Sequence, residues 1–209
     1  MYPAIPSHKK LINRDDEKIN ILFVGRDFHI KGGEIALQIM DNLTKKYPNV
    51  ESVFISETPI EQIKKYKTNK KIKFMGLMPQ KELFQNIFSK SHILLYPTFS
   101  DTFGFSIIEA QSFGIPVIAQ KTKSTHTIEE TISEGKTGFI IENLMASAAN
   151  QTFDEDLIKR MTLQTERLIK DNKLRRQMSS NCINEIERGK FSIDKRKVQV
   201  KRIYLEAIK

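Results

Sequence analysis

The sequence predicts a doubly wound α/β fold: a Rossmann-like, six-stranded parallel sheet covered by helices, in the order 3-2-1-4-5-6. Three observations lead to it. Apolar runs such as Ile21-Leu22-Phe23-Val24, Ile93-Leu94-Leu95-Tyr96 and Pro116-Val117-Ile118-Ala119 are too continuous for strands with one wet face, and suit parallel strands buried on both. Segments of helical spacing separate those runs, as crossover connections require. The last third of the chain loses the strand pattern and reads as three helices.

Each element follows in turn. Residues 1–18, with two prolines near the start and the run Arg14-Asp15-Asp16-Glu17-Lys18, show no periodicity and read as a linker, with regular structure beginning at Ile19. Residues 19–25 form the first strand, closed by Gly25. Residues 33–46 carry Ile35, Leu37, Ile39, Met40 and Leu43 at helical spacing. A strand over 51–56, a short helix over 60–66 after Pro59, and a strand over 71–75 come next. Residues 80–89 are helical, with Leu83, Phe84, Ile87 and Phe88 on one side. A fourth strand over 92–96 stops at Pro97, which cannot donate to a ladder. Then come a helix over 104–113, a strand over 115–119, a short helix over 128–133 and the sixth strand over 138–141. The closing helices span 154–170, 172–188 and 192–209 and are expected to pack around the sheet.

Composition narrows the function classes. The chain has 209 residues, long enough to bury a sizeable core without staples. Its one cysteine, Cys182, excludes a disulfide framework and a Cys-rich zinc site, and fits a reducing compartment. No apolar run approaches the ~18 residues of a membrane span. The start, Met1-Tyr2-Pro3-Ala4-Ile5-Pro6, lacks the basic and apolar regions of a signal peptide. A cytoplasmic location is expected. The formal net charge is +9, and residues 188–202 hold a marked excess of Lys and Arg. Such an excess favours nucleic acid, acidic lipid or anionic substrates, and is equally what a solvated face in a Lys-rich chain looks like.

In a doubly wound sheet the ligand lies beyond the carboxyl ends of the strands, where the strand order reverses. In the expected order that is between the first and fourth strands. The first loop, from Gly25 to Gly33, sets Arg26 and Lys31 five residues apart just before a helix. Two cations and a helix start suit a diphosphate. The same residues also make an ordinary turn. The fourth loop holds Asp101, either an N-cap or a ligand residue, and eight residues on, Glu109 among Ile107, Ile108, Ala110 and Phe113. A carboxylate in that setting needs a bonded partner, either a ligand hydroxyl pair or a Lys or Arg from elsewhere. Phe99, Phe103 and Phe105 suit base stacking or core packing. His8, His29, His92 and His126 lack metal-ligand spacing, and His92 reads as the opening of a buried strand. Ser106 is not in a nucleophile elbow. The first loop is not the Gly-x-Gly-x-x-Gly of nicotinamide dinucleotide sites.

Taken together these residues resemble the C-terminal, donor-binding domain of the GT-B glycosyltransferases of family 4 (group 1), over about residues 5–209. The resemblance is carried by Gly25-Arg26 with Lys31-Gly32, by the stretch from Pro97 through Asp101, Phe103-Gly104 and Glu109-Ala110 to Gly114-Ile115-Pro116-Val117, and by Gly135-Lys136-Thr137-Gly138-Phe139. Phe74-Met75-Gly76-Leu77 is similar to the family's turn against the nucleotide base, and Phe191-Ser192 with Tyr204 to its last helix.

The resemblance implies roles. Arg26 and Lys31 neutralise a nucleotide diphosphate, Glu109 binds ribose hydroxyls, and Asp101 binds hydroxyls of the donor sugar. Backbone around Phe103-Gly104-Phe105 lies near the phosphates, with Gly25, Gly76 and Leu77 also in the donor site. It implies a retaining hexosyl transfer in polysaccharide biosynthesis. The donor is a nucleoside-diphosphate sugar, UDP favoured over GDP or ADP, with no cofactor and no metal. It assigns residues 1–18 to an interdomain linker remnant, 19–190 to the nucleotide-sugar-binding domain and 191–209 to a crossover helix, with the N-terminal acceptor domain absent. The basic last helix would then face that missing half or an acidic membrane surface, giving a peripheral association. Two departures stand out: Asp101 where the family more usually has Glu, and His126-Thr127 where it has Gly-Gly ahead of Glu130. Other readings are an inactive nucleotide-binding partner subunit and, more remotely, a nucleic-acid-binding protein, although no recognition-helix, zinc-finger or RNA-binding signature is present.

Overall fold

The computed structural model describes residues 2–15, 17–152 and 155–208. Its chain order is β1 (Ile19–Asp27), α1 (Gly33–Lys46), β2 (Val50–Glu57), α2 (Ile60–Tyr66), β3 (Ile72–Met75), α3 (Gln80–Glu82), β4 (Ile93–Tyr96), α4 (Phe105–Ser112), β5 (Val117–Lys121), α5 (Ile128–Thr131), β6 (Gly138–Glu142), α6 (Glu155–Lys170), α7 (Asn172–Arg188) and α8 (Ile193–Ala207). The expected helix starts and ends at Asp154 and Lys209 fall outside the described residues. One six-stranded sheet forms in the order β3-β2-β1-β4-β5-β6. All its pairs are parallel, with Ile21 beside Ile93 and Leu22 beside Leu94 at the reversal.

The continuous apolar runs are explained by two cores, one on each face. Alternate residues of a strand point to opposite faces. Ile19, Ile21 and Phe23 of β1, with Ile93 and Leu95 of β4, therefore meet α1 and α6 through Ile35, Ile39, Leu43, Leu157 and Met161. Leu22 of β1, with Leu94 and Tyr96 of β4, meets Phe88, Ile107, Ala110 and Phe113 on the other side. Each face removes one register of every central strand from water, so neither register can be polar.

Three expectations are corrected. The segment after α3 is not one regular helix: Leu83–Ile87 widens into a π-turn and Phe88–Lys90 tightens into a 3-10 turn. The irregularity lets Phe84 and Phe88 both reach Phe113, at ring-centroid distances of 5.2 and 5.6 Å. Order does not begin at Ile19. Lys9–Leu11 form a 3-10 turn, His8 N donates to Ser112 O (2.9 Å) and Asn13 N to Ser89 O (2.8 Å). The His8 ring stacks on Phe113 at 4.7 Å with Nδ1 2.9 Å from Ser112 Oγ, and the Arg14 guanidinium bonds the carbonyls of Phe113 and Gly114. This segment is aperiodic because single side chains in specific slots hold it, not a repeating apolar face. The last helix does not pack around the sheet: α8 has no buried residue, and Val198, Ile203, Tyr204 and Leu205 are exposed along it. α6 and α7 do pack, α6 against α1 and α7 against α4.

Candidate donor site at the sheet reversal

The loops after β1 and β4 meet at the reversal point. Gly32 makes the approach possible. It adopts φ 70°, and a side chain there would place Cβ 2.0 Å from the Pro97 carbonyl oxygen. Phe99 N donates to Ile30 O (2.9 Å), and the Thr98 hydroxyl donates to Ser100 O (2.8 Å). Two loops almost 70 residues apart in sequence thus form one surface.

Lys31 and Asp101 come together on it. Lys31 Nζ lies 2.8 Å from Asp101 Oδ2 and donates to Ser100 O at 3.0 Å. Asp101 Oδ2 also accepts from the Tyr96 hydroxyl, while Oδ1 accepts from Phe103 N (3.2 Å) and Gly104 N (2.9 Å). Burial alone would raise the Asp101 carboxyl, but the hydrogen bonds from Lys31, Tyr96 and Gly104 and the Lys31 charge outweigh it and hold it below the usual range. Burial, followed by the neighbouring Asp101 charge, pushes the Tyr96 phenol well up, so it remains a donor. The N-cap reading of Asp101 therefore describes one of its oxygens and leaves the other to Lys31.

Arg26 stands at the exposed end of β1, and its guanidinium has no hydrogen bond or ion pair among the described residues. It is a free cation at the rim, unlike Lys31. At the start of α4 the Phe103 and Gly104 amides are already taken by Asp101. The Phe105 and Ser106 amides, which have no intrahelical partner at a helix start, are the donors left for an anion.

Glu109 lies half-buried on α4. Among the described residues no Lys or Arg pairs with it. Gln80 Nε2, from the start of α3, donates to Oε1 at 2.6 Å. Burial raises the Glu109 carboxyl, with the Gln80 bond opposing in part. That bond draws the loop after β3 to α4. In this loop Gly76 is open on all sides and Leu77 is exposed.

The aromatic candidates separate. Phe99 is buried in the core, Phe103 packs against Ile108, Ile186 and Phe191, and Phe105 is 60% exposed, its ring 5.6 Å from that of Phe103. His92 is buried beside β4, where Nδ1 accepts from Asn20 N (3.1 Å). His126 is exposed, and the Thr127 hydroxyl reaches back to Thr102 O.

Sequence reasoning missed Tyr96, Gln80 and Ser100. Tyr96 carried a usable signal, a polar tip at the carboxyl end of a central strand beside the reversal. Gln80 and the Ser100 carbonyl carried none. The molecule's larger grooves lie elsewhere: about 600 Å³ between α1 and α6, and about 520 Å³ between the 133–137 turn and α7. Neither contains Arg26, Lys31, Asp101 or Glu109, which stand on an open ledge.

Comparison with known proteins agrees with this geometry. The family model described as glycosyl transferases group 1 matches residues 5–184. A sulfoquinovosyl transferase of Arabidopsis thaliana is 31% identical over 63% of this chain and 25% of its own length. An uncharacterized 41.2 kDa protein in the cps region of Klebsiella pneumoniae is 32% identical over 68% of this chain and 38% of its own. The chain therefore spans well under half the length of these relatives. Among solved structures, the C-terminal domain of a group 1 family glycosyl transferase (LpcC) from Francisella tularensis superposes with a TM-score of 0.67 at 23% identity, covering 92% of this chain and 96% of that one. The Anabaena protein HepE, solved with UDP and glucose, gives 0.64 at 17% identity, over 90% of this chain and 48% of its own. At these identities the likeness is one of fold.

Proposed function

Because the chain belongs to the glycosyl transferases of group 1, we propose that it is the donor-binding half of a retaining transferase that moves a hexose-type sugar from a nucleoside-diphosphate sugar to an acceptor. The observation that carries the reading is the convergence at one sheet reversal of a free cation (Arg26), a fixed cation (Lys31), two open amides at the start of α4 and a half-buried carboxylate (Glu109) bonded only to a neutral amide.

The chemistry divides along that surface. Arg26, Lys31 and the Phe105 and Ser106 amides face the diphosphate. Glu109 is set to accept from the two ribose hydroxyls, trading its bond with Gln80. The loop at Gly76-Leu77 meets the base. In the transfer the acceptor oxygen bonds to the anomeric carbon as the bond to the diphosphate oxygen breaks. The acceptor's proton passes to the departing diphosphate on the same face. Charge grows on that diphosphate, so fixed cations and amides stabilise the transition state without reorganising. Side-chain cations do here what a metal does at other diphosphate sites, and the reading is therefore metal-independent.

An open ledge orients no acceptor. We assign the second wall to an N-terminal acceptor domain, consistent with a chain that spans well under half of its curated relatives. Residues 1–18 then act as the interdomain linker, 19–190 as the donor domain and 191–209 as the crossover to the other half. The exposed apolar residues of α8 fit a helix made for another surface. Titration of the 209-residue chain with UDP, GDP and ADP in the presence of EDTA tests the reading. Binding of one or more with UDP foremost is expected. Binding that vanishes with chelator refutes metal independence, and no binding to any of the three refutes the donor site.

A further inference from the structure

We propose that Asp101 is a positioning residue, not a contact for the donor sugar: with Tyr96 behind it, it fixes Lys31 and the start of α4 so that one ammonium N–H points at the anion site. The inference rests on the donor-site reading above and departs from the role that the family resemblance gives this residue.

Acceptor counting supports it. A carboxylate offers about four lone-pair sites. Asp101 receives four donors from the protein itself: Lys31 Nζ and the Tyr96 hydroxyl on Oδ2, and the Phe103 and Gly104 amides on Oδ1. A sugar hydroxyl has no oxygen left to meet unless one of these bonds breaks. The side chain is also only 17% exposed. A Glu in this position would reach one methylene further out; the Asp stays within the loop.

Counting donors on Lys31 gives the complementary result. An ammonium has three N–H groups. Two are used, on Asp101 and on Ser100 O. One is left, and its direction is set because the head is held at two points. The stem is held as well. It lies over Gly25, where any side chain would place Cβ 2.7 Å from Lys31 Cβ. Lys31 is therefore a preorganised cation, which loses little freedom on meeting a phosphate. Tyr96 sits at the end of β4, 3% exposed and rigid in the core, and so ties this chain of contacts to the sheet.

The test has two arms, on the wild-type chain and on the Tyr96→Phe and Asp101→Asn variants. The first needs no ligand: amine acetylation mapped by mass spectrometry. Lys31 should be acetylated several-fold more slowly than the exposed Lys195 in wild type, and the protection should fall in Asp101→Asn. Equal rates at Lys31 and Lys195 in wild type overturn the proposal. In the second arm, UDP and UDP-glucose affinities are measured by calorimetry. Asp101→Asn should weaken both by the same factor, roughly tenfold, the scale of one charge-assisted hydrogen bond. Tyr96→Phe should follow the same pattern more mildly at an unchanged melting temperature. Loss of UDP-glucose affinity with UDP affinity intact overturns the proposal, since it means that Asp101 holds the sugar. If wild type binds neither compound, the donor-site reading fails, and the acetylation arm alone decides whether Asp101 fixes Lys31.

Discussion

Replacing Glu109 by Gln separates a ligand-binding carboxylate from a structural one. The substitution keeps shape and volume and removes the charge. In the structure Glu109 Oε1 accepts from Gln80 Nε2 at 2.6 Å, and no Lys or Arg among the described residues pairs with it. The new amide still offers Oε1 to Gln80, so that bond survives. Burial already raises the carboxyl, which means that the folded protein bears a cost for its charge. Glu109→Gln should therefore leave the melting temperature unchanged or slightly higher. Two ribose hydroxyls donating to a carboxylate are a different matter. Hydrogen bonds to a charged group contribute about 1.5–3 kcal/mol each. Losing the equivalent of one such bond should weaken nucleoside-diphosphate affinity roughly 10- to 150-fold. Calorimetric titration with UDP beside a thermal melt of the same preparation makes the comparison. A lowered melting temperature with unchanged affinity would refute the reasoning, because it would make Glu109 part of the scaffold.

Three further outcomes are expected. Gly32→Ala forces a side chain into φ 70° and against the Pro97 carbonyl, and should cost about 1–3 kcal/mol of stability in a urea titration, with loss of nucleotide binding as the two loops part. Burial holds His8 below the usual histidine range, so the unfolded chain takes up its proton more readily than the folded one. Stability should accordingly fall as pH drops below about 6.5, and His8→Phe should flatten that part of the pH–stability curve; an identical slope in the variant removes His8 from the account. If α8 meets an acidic membrane, binding to anionic vesicles should be salt-sensitive and lost when Lys195, Arg196 and Lys197 are all changed to Glu, whereas equal binding to neutral vesicles excludes an electrostatic contact.

The sequence by itself determined the sheet. Near-continuous apolar runs have one stable setting, central parallel strands with both faces covered, and the helical segments between them impose right-handed crossovers. From that came the strand order, the reversal between β1 and β4, and the location of Arg26, Lys31, Asp101 and Glu109 at its carboxyl edge. The matched ranges of α1, α2 and α7 follow from their start and stop residues and apolar spacing. Sequence did not determine what each side chain does on arrival. Glu109 was legible as a carboxylate in apolar surroundings, but its partner Gln80 lies 29 residues away on an element with no pattern pointing at it. Asp101 was legible as a cap or a ligand, and only the fold showed it sharing its two oxygens among four donors. His8 looked like linker because a single ring in a slot between Phe84 and Phe113 leaves no period to detect. Periodicity records burial averaged along an element. Hydrogen-bond pairing depends on ångström-scale positions of groups distant in the chain, and only tertiary packing sets those.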